Sequence, residues 1–368
     1  MSQDNTPSTK DRGKAPRVRL KDVAALAEVS VSTVSLVLNG APRAEALAAE
    51  TRQRVLDAAR ELGYRPNYLA RSLRGKRTHS LGVLVPEISE GYTAGVMSGI
   101  ESELEAAGYT YLMVSHHSRP AKLESSIRLF EDRGVEGLLI IGAELPGPIP
   151  LPAVTVSGHR PVPGVTTVAL DHRTAARLAL GHLASLGHRR LAVIRGFGGN
   201  VDAEDRWRAI RGAAQELDDF ELPPALTVEL RSRAYGESFD AEGGYREGYE
   251  IGRRLLDAGE PFSALFAFND ISAIGALRAF LDCGLRAPED ISVVGFDDLG
   301  VTPFLNPRLT TIRQPLRDMG QAAARLLLAH LDDQKPLGER ILIQPKLVVR
   351  DSTGPAPDSP SPLDRPGA

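Results

Sequence analysis

The side chains best placed to do chemistry are hydroxyls in the segment 20–39, which reads LKDVAALAEVSVSTVSLVLN. They gather at the predicted start of a short helix. Hydroxyl groups and backbone amides at the start of a helix bind phosphate oxygens well, so this spacing favours contact with a nucleic-acid backbone. A simple helix-capping pattern is the alternative reading. The hydroxyl residues are Ser30, Ser32, Thr33 and Ser35.

Three side chains of the same segment are predicted to project from the outer face of its second helix. These are Val31, Ser32 and Leu36. A helix in the major groove reads base edges through hydrogen bonds, or through apolar contact with the thymine methyl group, and Val31 and Leu36 suit the apolar contact. The segment therefore predicts a helix-turn-helix whose second helix enters the major groove of duplex DNA.

Catalytic and metal-binding patterns are missing from the sequence. The eight histidines include no HExxH pair and no grouping with cysteine. The glycine-rich stretch 196–200, GFGGN, lacks the third glycine and the later acidic residue of a dinucleotide site. Cys283 falls in a helical pattern, where a small buried hydrophobe is expected. We expect no enzyme activity, no cofactor and no metal.

Short helices are predicted to position the hydroxyl residues. The first contains a short apolar stripe, the second begins at the N-cap Ser30 and stops at Asn39-Gly40, and the third runs from about Glu50 to Leu62. Together they predict a compact helical bundle. The third helix is expected to bury one face, formed by Val55, Leu56, Ala59 and Leu62.

After residue 77 the pattern changes to apolar runs of strand length that alternate with helical patterns. This alternation predicts parallel sheets covered on both faces, and its length favours two lobes with a cleft between them. Ligands bind such sheets beyond the carboxyl ends of the strands. Predicted strands are 81–85, 109–114, 137–141, 154–156, 191–194, 264–268 and 291–296, and predicted helices are 94–107, 123–131, 174–186, 205–216, 245–257 and 271–283.

Charge is unevenly distributed along the chain. Residues 1–77 hold 15 Lys or Arg and 8 Asp or Glu, a balance of +7, and since the whole chain carries -3 the remainder carries -10. A basic head on an acidic body indicates nucleic acid as the partner of the head, although a merely basic flexible tail is an alternative. The polar ends 1–18 and 352–368 are predicted to be disordered. Without a secretory or membrane-spanning apolar run, we expect a cytoplasmic, nucleoid-associated protein.

The motifs in this order resemble the lactose-repressor (LacI-type) family of bacterial transcription regulators. The resemblance continues from 20–39 through most of the chain to about Arg350. It implies an N-terminal all-α helix-turn-helix plus a hinge helix, followed by a two-lobed α/β domain like the periplasmic binding proteins. The motifs that carry it are ETRQRVLDAARELGYRPNYLARSLR, LGVLVPEIS, LASLGHRRLAVI, FAFNDISAIGALRAF, APEDISVVGFDD and PRLTTIRQP.

The resemblance also implies which residues contact DNA. The segment 67–74 resembles a hinge helix that orders when two protomers bind an operator, and Leu73 matches a leucine that wedges into the minor groove. An ordinary core residue of a linker helix is the alternative for Leu73. The implied DNA-binding residues are Leu20, Lys21, Ser30, Val31, Ser32, Thr33, Ser35, Leu36, Asn39, Thr51, Asn67, Ala70 and Leu73.

Two departures from the family pattern affect the DNA contacts. Leu36 stands where many members have an arginine that reads guanine, so the half-site is expected to lack that contact. The loop between helices two and three, 40–50, is longer than usual, which changes the expected phosphate contacts near Arg43.

Effector contacts are likewise implied by the resemblance. An arginine and a carboxylate that face one cleft can hold vicinal hydroxyls, which suits a sugar-like ligand. Helix capping is the alternative for Asn269 and Asp297, a surface position for Arg206, and plain packing for Tyr92 and Phe239. The Glu90-Gly91 replacement of a usual Asn-Pro leaves the first wall of the pocket undefined. The implied effector residues are Tyr92, Arg206, Phe239, Asn269, Asp297 and Gln314.

The sequence thus predicts a repressor that binds a pseudo-palindromic operator in double-stranded DNA as a homodimer, controlled by a small molecule. A transport-type solute-binding protein, an enzyme acting on a sugar or nucleotide, and a family member that no longer senses ligand are the alternatives. The predicted domains are tail 1–18, helix-turn-helix 19–65, hinge and linker 66–77, effector-binding and dimerisation domain 78–350, and tail 351–368.

Overall fold

The computed structural model of the chain describes residues 18–39, 42–64, 77–88, 91–157, 160–198, 201–231, 241–333 and 335–358. The chain divides into two units, with the boundary after Thr78. We call the first unit the head and the second the body.

The head is a bundle of three helices, α1 (Leu20–Leu26), α2 (Val31–Leu38) and α3 (Ala49–Glu61). Ser30 caps α2, because its hydroxyl accepts a hydrogen bond from the Thr33 amide at 3.1 Å. Buried Val23, Val34 and Val55 bring one residue from each helix into a single core. The predicted helix-turn-helix is therefore confirmed.

One face of α3 differs from the prediction. Leu56 is 40% exposed, and Ala58 lies in the core instead. The face that packs on α1 and α2 passes through 55, 58, 59 and 62, which is the i, i+3, i+4, i+7 spacing of one helix side. Leu56 follows Val55 by about 100° around the helix and so lies outside that face.

The body contains two six-stranded sheets, as predicted for two doubly wound lobes. The first sheet has the order β11-β5-β4-β3-β1-β2 and all its pairs are parallel. The second has the order β12-β10-β9-β8-β6-β7, and its one antiparallel pair is β10 with β12. The strands are β1 (Ser80–Val85), β2 (Thr110–Ser115), β3 (Leu138–Ile141), β4 (Ala153–Val156), β5 (Val165–Leu170), β6 (Leu191–Arg195), β7 (Thr227–Glu229), β8 (Ala264–Ala267), β9 (Ser292–Asp297), β10 (Thr310–Arg313), β11 (Arg340–Ile343) and β12 (Lys346–Val348).

Helices cover the sheets of both lobes. Each lobe has a helix pair that packs very closely: a Cβ at Gly320 of α10 would lie 2.0 Å from the Val96 carbonyl oxygen of α4, and a Cβ at Gly275 of α9 would lie 2.1 Å from the Tyr245 carbonyl oxygen of α8. The body helices are α4 (Tyr92–Ala106), α5 (Pro120–Asp132), α6 (His172–Ser185), α7 (Val201–Gln215), α8 (Ala241–Asp257), α9 (Asp270–Asp282) and α10 (Leu316–Leu331).

The chain passes between the lobes three times, after β5, after β10 and after β11. The first two passages begin at Asp171 and Gln314, and the third lies at 344–345. The Gln344 side-chain amide donates to Asp171, which links the first passage to the third. The passages form the hinge of the body.

The structure corrects the predicted start of the C-terminal tail. Residues 351–358 pack onto the second lobe, and Ser352 is fully buried with its hydroxyl accepting from the Thr310 amide and donating to the Val293 carbonyl. The Gly354 carbonyl lies 3.1 Å from His188 Nε2. These contacts come from residues distant in sequence, so the polar composition of the segment could not reveal them.

Candidate nucleic-acid interface and ligand cleft

The outer face of α2 carries the side chains predicted to reach base edges. Val31 is 46% exposed, Ser32 is exposed and Leu36 is partly exposed. Val34, on the opposite side of the helix, is fully buried in the core of the head. The structure therefore leaves the predicted reading face uncovered within the head.

Hydrogen bonds within α2 define its two ends. The Ser30 and Thr33 hydroxyls lie 2.9 Å apart, and both residues belong to the N-terminal cap. At the other end the Asn39 amide donates to the Ser35 carbonyl at 2.7 Å and to the Ser35 hydroxyl at 3.1 Å. The capping interpretation of Ser30 is thus correct.

The other predicted DNA contacts are spread over the head. Leu20 packs against the core, Lys21 is exposed at the start of α1, and Thr51 is half-buried in the first turn of α3. Arg43 is exposed in the loop before α3. The predictions for Asn67, Ala70 and Leu73 fall outside the described residues.

A buried ion pair lies in the body at Arg206 of α7. Only 4% of Arg206 is exposed, its Nη2 lies 2.8 Å from Asp202 Oδ2, and its Nη1 donates to the Phe268 carbonyl. Its guanidinium carbon lies 3.7 Å from the ring centroid of Phe296. The surface interpretation of Arg206 is therefore wrong, because α7 turns this side chain into the protein.

Asp297 ends β9 beside Arg206 and is buried. The Gln314 amide donates to its Oδ1 at 2.5 Å. Burial raises the pKa of Asp297 to about 6, although the Arg206 charge and the Gln314 hydrogen bond lower it. Its backbone φ of 112° lies in a region that favours glycine, so the end of this strand holds the carboxylate in a strained conformation.

Two polar atoms of this cluster have no hydrogen-bond partner among the described residues. They are Nε of Arg206, a donor, and Oε1 of Gln314, an acceptor. A buried polar group without a partner is costly, so both atoms are suited to bind the polar groups of a ligand. We call Arg206, Asp202, Asp297 and Gln314 the polar cluster.

Tyr92 brings the first lobe to the polar cluster. Its hydroxyl lies 2.6 Å from the Ser157 hydroxyl, just beyond the carboxyl end of β4. Burial is the largest cause that raises the pKa of Tyr92, and the charges of Asp202 and Asp297 add to it. Tyr92 of the first lobe therefore interacts electrostatically with carboxylates of the second lobe. This interaction indicates that the polar cluster lies in the cleft between the lobes.

Asn269 makes a structural hydrogen bond through its side chain. Its side-chain oxygen accepts from the Ser272 amide at 2.8 Å, so it caps α9, as the alternative interpretation had it. The prediction for Phe239 falls outside the described residues, as does that part of the first wall formed by Glu90.

Sequence reasoning missed the partners that hold the cluster. Asp202 lies one helical turn before Arg206 and also lies 2.9 Å from Nε2 of His172. The i, i+4 spacing of Asp202 and Arg206 was a readable signal of an ion pair. Asp270, fully buried on α9, accepts from the Leu299 amide and the Thr311 hydroxyl and fixes the loop after Asp297. No sequence signal pointed to it.

The cluster offers hydrogen-bond donors and acceptors to a ligand. Among the residues that the structure describes, no three His, Cys, Asp or Glu side chains are grouped to hold a metal ion. Within the same described ranges, no helix has the length and apolar character needed to cross a bilayer. The arrangement is that of a binding cleft for a small polar molecule.

Family models match both units. Residues 19–67 match the model of bacterial regulatory proteins of the lacI family, and residues 180–353 match the periplasmic binding protein-like domain. The chain is 32% identical to the HTH-type transcriptional repressor PurR of Haemophilus influenzae over 90% of this chain and 98% of that protein. It is 30% identical to the HTH-type transcriptional regulator DegA of Bacillus subtilis over 92% of this chain and 99% of that protein.

Solved structures match over nearly the same length. A lac repressor dimer bound to operator and the anti-inducer ONPF superimposes with a TM-score of 0.80 and 27% identity, covering 92% of this chain and 99% of that one. A complex of the transcriptional regulator CelR with cellobiose matches with a TM-score of 0.65 and 29% identity, covering 91% and 100%.

Proposed function

The chain belongs to the LacI family of bacterial regulatory proteins, and on that basis we propose that it is a transcriptional repressor whose DNA binding is controlled by a small polar ligand. The observation that carries the proposal is a DNA-binding head joined in one chain to a body with buried, unpartnered polar atoms in its cleft. A DNA-binding head argues against a transport-type solute-binding protein, which does not bind DNA.

The head binds a pseudo-palindromic operator as a homodimer in this proposal. Two α2 helices enter successive major grooves, and the segment 67–74 pairs with its copy at the centre of the site. Lys21, Arg43 and Thr51 contact phosphates, and Leu73 enters the minor groove. The lac repressor dimer bound to operator supports this arrangement.

The body binds its ligand at the polar cluster. Arg206 Nε donates to the ligand, while Asp297 and Gln314 Oε1 accept from it, which fits a molecule with neighbouring hydroxyl groups such as a sugar. Tyr92, Asn269 and Phe239 complete the walls. The CelR–cellobiose complex supports a sugar-like ligand.

Ligand and operator are coupled through the hinge of the body. Ligand closes the lobes around Arg206 and Asp297 and so changes how the two protomers present their hinge segments to DNA. A ligand shifts such an equilibrium only by its differential affinity for the two states, and the coupling is reciprocal. In this proposal the ligand leaves the cleft unchanged, and the protein acts in the cytoplasm.

Coupling is tested with the full-length protein and an operator selected from random duplexes. Compounds that raise its melting temperature are added to an anisotropy titration with the labelled operator. We expect at least one stabilising compound to change operator affinity by about tenfold, within the usual range of allosteric coupling.

Arg206→Ala and Asp297→Ala should abolish the thermal stabilisation and the change in operator affinity together. Arg177→Ala is the matched control, because Arg177 pairs with Glu216 on the exposed surface. Stabilising compounds that leave operator affinity unchanged would contradict the coupling, and stabilisation that survives in both cluster variants would remove the polar cluster as the site.

A further inference from the structure

Helix α2 has an unusual composition for a helix that reads DNA. Its sequence VSTVSLVL contains no charged residue and no amide side chain. In the major groove, guanine is read best by the paired donors of Arg or Lys, and adenine by the amide of Asn or Gln. The helix therefore lacks both of the side-chain types that read purines most specifically.

The amide side chain at the C-cap of α2 is already engaged within the helix. Asn39, at the C-cap, donates its amide to the Ser35 carbonyl and hydroxyl. The Thr33 hydroxyl is likewise in contact with the Ser30 hydroxyl at the other end. Ser32 remains exposed on the outer face, but a hydroxyl both donates and accepts and so discriminates weakly between bases.

Apolar side chains occupy the rest of the outer face. Val34 lies in the core of the head, and Val37 and Leu38 pack against that core. Val31 and Leu36 neither belong to the core nor pack against it. Leu36 follows Ser32 by four residues, so the two share the side of the helix opposite Val34. Val31 is exposed and Leu36 is partly exposed on this face, so an apolar group of the DNA would remove their surface from water.

We propose that α2 reads its half-site mainly through the C5-methyl groups of pyrimidines, with Leu36 and Val31 as the specificity-determining residues. Thymine presents the one apolar group on the major-groove edge of the four bases. The inference rests on the proposed DNA-binding function and adds to it the chemical feature that is recognised. Thymine therefore lies under Leu36 and under Val31 in the half-site.

The test uses the full-length protein and an operator selected from random duplexes. Each thymine of the half-site is replaced singly by deoxyuridine, which removes the methyl group and keeps the pairing and every hydrogen-bonding group. We expect affinity to fall about fourfold at each contacted position, as the loss of one buried methyl implies. Placing 5-methylcytosine·guanine at such a position should bind more tightly than cytosine·guanine by about the same factor.

Variants assign each methyl to a side chain. In Leu36→Ala, deoxyuridine at one position should no longer weaken binding, and in Val31→Ala the same should hold at another. Leu56→Ala, an exposed leucine on α3, is the matched control and should keep the full dependence on every methyl. Since Leu36 lies outside the core of the head, Leu36→Ala should keep the helical circular dichroism of the parent.

Three results would overturn the inference alone. They are deoxyuridine without effect at every half-site thymine, a methyl dependence that is the same in Leu36→Ala and Val31→Ala as in the parent, and a selected half-site without thymine. Failure to select any duplex would instead remove the proposed function, and the inference with it.

Discussion

At the scale of single residues, the cleft depends on Asp297, a carboxylate that is buried among charged groups. Arg206 and Asp202 face it from α7, Gln314 from the second passage of the hinge, and Asp270 from α9. Burial prevails over the attraction of Arg206, so the folded protein holds a proton on this residue more strongly than the unfolded chain does.

This shift predicts a stability that depends on pH. The unfolded Asp297 loses its proton near the ordinary pKa, and the folded one near 6, so its contribution to the free energy of unfolding falls as pH rises from about 4 to about 6. Asp297→Asn cannot ionise and should be more stable than the parent at pH 7, by on the order of 3 kcal/mol, and equally stable below pH 4. Urea denaturation across this pH range measures the difference.

The neighbouring Asp298 provides a control of opposite sign. Burial opposes its ionisation, but hydrogen bonds from Arg350 and Arg313 prevail and lower its pKa. Asp298→Asn should therefore be less stable than the parent at pH 7, with the difference lost as pH falls through the lowered pKa. If the two variants behaved alike, the electrostatic description of the cleft would be wrong.

Single residues also show what sequence could and could not supply. Arg206, Asp297 and Gln314, far apart in the chain, were predicted together from the family resemblance and lie together around one buried carboxylate. Asp202 was missed although its spacing to Arg206 was readable. Asp270 was missed because its partners, Leu299 and Thr311, depend on the tertiary fold.

At the scale of elements, the close helix pair in each lobe depends on glycine. A Cβ at Gly320 would lie 2.0 Å from a backbone oxygen of α4, which cannot yield without moving the helix. We predict that Gly320→Ala lowers the free energy of unfolding by more than about 2 kcal/mol, as overpacking of a core does.

Gly212→Ala on α7 is the matched control. A Cβ at Gly212 has no atom within 4 Å, so the substitution should stabilise the helix by up to about 1 kcal/mol. Thermal denaturation of both variants measures the contrast, and equal effects of the two substitutions would contradict the close packing of α4 and α10.

The elements that sequence missed are those whose polar residues find partners elsewhere in the fold. Strand β5 reads VTTVAL, and its Thr166 and Thr167 are buried because they bond to Gly338 and Thr155. Strands β7, β10, β11 and β12 each begin or end with a charged or hydroxyl residue, which leaves apolar runs of only one to three residues. Helix α10 has a readable apolar stripe and was overlooked; the other helices were predicted to within a few residues of their ends.

At the scale of the whole molecule, the C-terminal segment 351–358 holds the second lobe together. Removing it would expose the Thr310 amide and the Val293 carbonyl, which Ser352 now satisfies, and would uncover His188. We predict that a chain ended after Arg350 melts at least about 5 °C below the parent, because several buried polar groups lose their partners.

A chain ended after Asp358 keeps this segment and should melt with the parent. Differential scanning calorimetry of the two truncated proteins makes the comparison. If the shorter protein melted at the parent temperature, the segment would be a tail, as its composition had suggested.

The central proposal concerns the head and the body together. The two heads of a homodimer bind duplex DNA symmetrically, and ligand binding to the body controls whether they bind. Selection of duplexes from a random pool by the full-length protein tests it most directly. We predict that the pool converges on an inverted repeat, bound with an affinity that falls steeply as salt rises. A pool that keeps no common sequence, both without and with candidate metabolites, would contradict it.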